Sequence, residues 1–169
     1  MICWTKEDRR SFVEHALTNF RWVPVAFIML LVEETGACPY KIAKLSFSKF
    51  DFDNSTVKIG AHTYTISTQL LDLVKEQKQR LGFQAKAFPV FRQSTARWVA
   101  LSKNEVDKDF LYVKRRLNLR LEIGVATLRL SIFRDRVNDG QLPTQVAKDM
   151  HLSLKETEYF WRNSLKCAN

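Results

Sequence analysis

The side chains able to do chemistry in this 169-residue chain are few and mostly basic. Arg129 and His151 are of the types that hold phosphate oxygens, and Tyr159 carries a hydroxyl that could attack one. Lys108, Lys114, Arg115, Arg116 and Arg120 crowd into one short stretch. Such a run is either a solvated helix face or a row of phosphate contacts. Arg129 is likewise either a phosphate contact or an ordinary salt-bridged arginine, and His151 either a ligand contact or a polar corner residue. The formal charge of +9 and isoelectric point near 9.6 suit a polyanionic partner, although a basic protein without one has the same composition. Cys3, Cys38 and Cys167 show no paired spacing, so reduced thiols in a cytoplasmic compartment are expected. No spacing suggests a metal site, and no cofactor is implied.

The elements that must position these groups read mainly as helices. Thr5 to Asp8 has the form of a capping box that opens a helix over residues 6–19. A second, apolar helix follows over 24–34, stopped by Thr35-Gly36. Its run of residues 23–32 is about half of the roughly 20 residues that cross a bilayer, so a buried helix is expected, and no membrane association. The start of the chain lacks an apolar export core. A helical turn or two over 40–45 precedes an acidic turn at Asp53-Asn54-Ser55. Alternation over 56–66 around Gly60-Ala61 predicts a short hairpin. Helices are then expected over 68–81, stopped by Gly82, and from a second capping box at Ser102 to Glu105, with Val106, Phe110, Val113 and Leu117 on the inner face. Residues 88–91 read as a short extended piece between them. The remaining helices fall over 128–139, 144–150 and 154–165. Trp4, Trp22, Trp98 and Trp161 suit packing better than base stacking.

Three segments in order resemble the boxes of the tyrosine recombinase (phage integrase) family: Glu34 to Leu45 with Phe50 to Asn54, Thr127 to Phe133, and Met150 to Phe160. The likeness runs from Thr5 to about Trp161. It implies a mainly α fold with a small antiparallel sheet, the α+β form of the recombinase catalytic domain. It also implies chemistry in which a tyrosine attacks a backbone phosphate while arginines and a histidine or lysine stabilise the charge.

Position by position, most of that machinery is substituted. Cys38 stands where the first box has an arginine, and Lys41 where an acidic residue is usual. The hairpin turn lacks the family's lysine, for which Lys58 is the nearest candidate. Ala126 replaces the histidine three residues before Arg129, and Phe160 falls at the nucleophile, nine residues after His151. Only Arg129 and His151 match. A benzyl group forms no phosphotyrosyl bond; Tyr159 could serve only through a shift of register or a π-bulge.

The resemblance therefore implies a single catalytic-fold domain over 1–169, without the helical DNA-clamping domain that usually precedes it. The expected partner is double-stranded DNA, met through Lys41, Lys58, Lys108, Lys114, Arg115, Arg116, Arg129 and His151. The role is that of an inactive regulator, accessory or architectural factor of a mobile element. Two alternatives stand beside it: a divergent recombinase using Tyr159, and a protein-interaction module whose C-terminal helix docks on a second copy or on a recombinase. Residues 144–161 also resemble a helix-turn-helix, with Ala147 between the helices and His151 at the place of the tight-turn glycine.

Overall fold

The computed structural model describes residues 2–19, 21–81, 91–94, 97–120 and 122–167. The sequence-derived stop at Gly82, the extended residues 88–90 and the side chain of Trp98 lie outside the described residues.

Helix α1 (Lys6–Leu17) starts at the expected box: the Asp8 N–H donates to the Thr5 hydroxyl at 3.0 Å, and the Thr5 N–H donates to the Asp8 carboxylate at 3.1 Å. Helix α2 (Val23–Thr35) is apolar almost all round and is accordingly buried, with Ile28, Met29, Leu31 and Val32 fully enclosed. Among the described residues no helix is long and apolar enough to cross a membrane. Gly36 ends α2 in the left-handed conformation, φ 65°. A Cβ there would also lie 2.4 Å from Cγ of Met150, so the position is closed to side chains twice over.

A single helical turn, α3 (Pro39–Ile42), leads into a three-stranded antiparallel sheet of β1 (Phe50–Asp51), β2 (Thr56–Ile59) and β3 (His62–Thr65), in the order β1-β2-β3. Val57, Ile59 and Tyr64 face inward while Lys58, His62 and Thr65 face out, the period of two that the sequence shows. After α4 (Thr68–Leu81) comes a second hairpin, β4 (Phe91–Ser94) with β5 (Arg97–Ala100). The sequence reading had only an extended piece there. Helix α5 (Lys103–Arg116) opens with the Ser102–Glu105 box.

Helix α6 (Leu128–Asn138) divides the interior. Leu128 and Ile132 join the main core with α1, α2 and α5, whereas Leu130 and Phe133 face a smaller cluster with Cys3, Val146, Ala147, Met150 and Phe160. That second cluster is closed by α7 (Pro143–Asp149) and α8 (Leu154–Ser164). Arg9 pins α1 to both neighbours, through Glu33 at 2.7 Å and Asp135 at 2.8 Å. Trp4 is fully buried and tied to α6 by its N–H, which donates to the Ser131 hydroxyl at 2.9 Å.

The cysteine expectation needs correction. Cys3 and Cys167 form a disulfide, with Cα atoms 5.7 Å apart and 164 residues of sequence between them. Packing of the segment before α1 and the segment after α8 against the same cluster brings them together, which spacing along the chain does not reveal. Cys38 alone is a free thiol.

Candidate nucleic-acid interface

Arg129, at the start of α6, meets the end of α2 and the helix α8. The Arg129 Nε–H donates to the Gly36 carbonyl at 2.7 Å, and Nη1 lies 3.4 Å from the Glu156 carboxylate. Its guanidinium sits 5.5 Å from the centroid of the Phe160 ring. Glu156 reaches this place because Ser153 caps α8: the Ser153 N–H and hydroxyl both donate to the same carboxylate, at 2.9 and 2.8 Å. The Ser153 bonds and the positive charge of Arg129 hold the Glu156 carboxyl below the usual carboxylate range. Arg129 is thus a partnered, part-buried cation and not an open one.

Phe160 is buried and packs edge-on to Phe133 at 5.8 Å. Tyr159 is 54% exposed on another face of α8. The helix is α from Leu154 to Ser164, so it contains no bulge that would exchange the two. Ala126 is exposed in a 3-10 turn, Val125–Thr127, three residues before Arg129. Cys38 caps α3 without a side-chain hydrogen bond. Beside it Tyr40 donates to Asp107 at 2.7 Å, linking α3 to α5, and burial together with that carboxylate pushes the phenol well up.

His151 differs from expectation in its backbone. With φ 49° it occupies the left-handed region that a turn glycine would supply, so the tight turn between α7 and α8 forms with histidine in place of glycine. Its ring is exposed and stacks on His62, with centroids 4.1 Å apart and planes 11° from parallel. Tyr64 meets His151 edge-on at 4.9 Å. Burial, and then the neighbouring His62, lower the His151 pKa, while Asp149 opposes them. A cavity of about 410 Å³ opens beside this group, with Glu34, Arg136, Lys148 and Asp149 on its wall. Sequence reading missed His62, whose only signal is its outward place just after the Gly60-Ala61 turn. It also missed Glu156, which the Ser153 spacing could have disclosed.

The basic set divides. Lys41 and Lys58 are exposed, and Lys41 passes 3.7 Å from the Cβ that Gly60 would carry. Lys108, Arg115, Arg116 and Arg120 are exposed. Lys114 is not: it is 4% exposed and its ammonium donates to the Ile123 carbonyl. Its inclusion among surface cations is corrected, because it lies on the inner face of α5 with Val106, Phe110 and Val113. Burial lowers its pKa. Trp161, expected to pack, leaves 41% of its surface exposed. Among the described residues no group of three or more potential metal ligands occurs.

Among solved structures, the chain superposes on XerA recombinase over 95% of its length with a TM-score of 0.76 at 13% identity. It also matches the Tn1549 transposon integrase in complex with transposon right-end DNA, with a TM-score of 0.72 at 13% identity over 95% of its length. The fold is that of tyrosine recombinase catalytic domains. A third match, to XerH site-specific recombinase bound to palindromic difH substrate, has a TM-score of 0.70, 14% identity and 96% coverage of this chain. The recombinase-fold chain described here spans 58%, 61% and 50% of those three chains. No family model matches its sequence, and no curated protein is similar to it in sequence.

Proposed function

We propose that this recombinase-fold chain binds double-stranded DNA without recombinase chemistry, as a regulator, accessory or architectural factor of a mobile element. The observation that carries the reading is the Phe160 ring beneath the Arg129 guanidinium. A tyrosine recombinase needs a phenol presented to its guanidinium, and the residue in that place has no nucleophilic atom. Cys38 and Ala126 withdraw two further charge-stabilising groups from the implied set, and each such loss typically costs a hundredfold or more in rate. DNA binding is supported by the +9 charge, by exposed Lys41, Lys58, Lys108, Arg115, Arg116 and Arg120, and by the DNA partners of two similar folds, the Tn1549 integrase and XerH. On this reading residues 1–169 work as one catalytic-fold unit.

Two measurements test it. Fluorescence anisotropy with a double-stranded oligonucleotide over a salt series is expected to give an affinity that falls linearly in log–log form, as counterion release requires. Absence of binding at low salt would remove the reading. Incubation with nicked suicide substrates is expected to leave no covalent protein–DNA adduct; an adduct lost in Tyr159→Phe would establish the active alternative.

A further inference from the structure

The group best placed to meet a phosphate at this site is not Arg129. That guanidinium is already engaged by the Gly36 carbonyl, the Glu156 carboxylate and the Phe160 ring. The outward-facing alternative is the histidine pair. His62, from the first residue of β3, and His151, from the α7–α8 turn, are both exposed and lie nearly parallel, with centroids 4.1 Å apart. Two imidazoles in that stack repel each other when both are charged, so the second proton is unfavourable while the pair is alone. An anion seated across their shared edge reverses this, because each protonated ring donates N–H to it and its charge offsets both of theirs.

We propose that His62 and His151 form a proton-linked site for a phosphate group of the DNA backbone, which they bind in the doubly protonated state. This rests on the DNA-binding reading, in which His151 already figures, and adds His62 as its partner and the pH dependence. The surrounding charges are balanced and do not by themselves exclude an anion. Arg136, from α6, donates to the Glu33 and Glu34 carbonyls, and Lys148 on α7 is exposed. Against them, Glu34 of α2 accepts from the Ser67 N–H and hydroxyl, and Asp149 of α7 accepts from Gln145. Lys41 of α3 adds a further cation at the hairpin turn. Tyr64 of β3, edge-on to His151, is kept neutral by burial, which raises its pKa. The pair therefore supplies the net charge that the site gains on acidification.

Two arms test this. In the first, NMR follows the ring protons of the three histidines through a pH titration with and without inorganic phosphate. The expected result is that phosphate raises the titration midpoints of His62 and His151 and leaves that of His15, which lies in α1 and stacks on Trp22, unmoved. Unmoved midpoints for the pair, or equal movement of all three, would overturn the proposal. In the second arm, affinity for a double-stranded oligonucleotide is measured from pH 7.5 to 5.5 at fixed salt. Wild type is expected to tighten by up to about tenfold per pH unit for each proton taken up, and His62→Gln and His151→Asn each to flatten that dependence. Asparagine is chosen at 151 because it tolerates the left-handed backbone. A pH dependence identical in wild type and both variants would overturn the proposal. Failure of wild type to bind DNA at any pH would instead overturn the DNA-binding reading, and phosphate-shifted midpoints would then assign the pair to free phosphate.

Discussion

Arg129 lies across the face of Phe160, 5.5 Å from the ring centroid, and its Nη1 lies 3.4 Å from the Glu156 carboxylate. The pairing joins α6 to α8. Phe160 and Ser164 are the buried residues of α8, so the ring carries most of that helix's apolar attachment.

Truncation at this ring is therefore costly. Phe160→Ala is expected to destabilise the fold by about 3–5 kcal/mol, the usual range for a buried phenylalanine. Denaturant unfolding would measure it, and a loss below 1 kcal/mol would show that α8 is held by something else. Phe160→Tyr is expected to restore no covalent adduct, since Cys38 and Ala126 remain.

Glu156 should make the site acid-sensitive. Its folded-state pKa is depressed, chiefly by the Ser153 bonds and also by Arg129, so its contribution to stability is present above the unfolded carboxylate value. That contribution is lost as pH falls through the lower folded value. Melting temperatures of wild type and Glu156→Gln should thus converge below about pH 4 and separate above about pH 5. The same substitution removes the carboxylate beside Arg129, which keeps its Gly36 and Phe160 contacts, and is expected to strengthen DNA binding severalfold at neutral pH.

Lys114 and its neighbours should separate stability from binding. Lys114→Ala leaves the Ile123 carbonyl without the donor it has and is expected to cost about 1–3 kcal/mol, with the salt slope of DNA binding unchanged. Arg115→Ala and Arg116→Ala, both on exposed residues, are expected to do the reverse: each lowers the salt slope by about 1 and hardly moves the melting temperature.

The Cys3–Cys167 bond makes stability redox-dependent. A covalent link spanning 164 residues restricts the unfolded chain, and its loss is expected to cost about 2–5 kcal/mol. Unfolding with and without a dithiol reductant measures this directly. Cys167→Ser should match the reduced wild type under both conditions.

The features legible in the sequence are those that local chemistry determines. The Thr5 and Ser102 boxes, the Gly36 stop and the β2–β3 hairpin are written within a few residues each, and the structure forms them where their spacing indicates. The three ordered boxes likewise pointed to the fold. What escaped depends on contacts between distant segments. Lys114 differs from Arg115 only in which side of a helix turns inward, and a run of cations hides that phase. His62 meets His151 across 89 residues of chain, counting from 62 to 151, and only the packed hairpin brings the rings together. The disulfide pairs residues on opposite flanks of the entire fold. Tyr159 and Phe160 are neighbours in sequence, yet helical geometry gives one to solvent and the other to the core.

The Cys3–Cys167 link also changes how the molecule bears load. Tension applied between the segment before α1 and the segment after α8 passes through the sulfur atoms and leaves the helices between them unstretched. A machine that unfolds proteins by pulling on one end would meet a closed covalent loop, and would have to thread two strands at once or wait for a reductant. A nick in any connecting loop would leave the two fragments joined. The oxidised protein is in this sense a ring, with its mechanical strength set by one bond and not by its core.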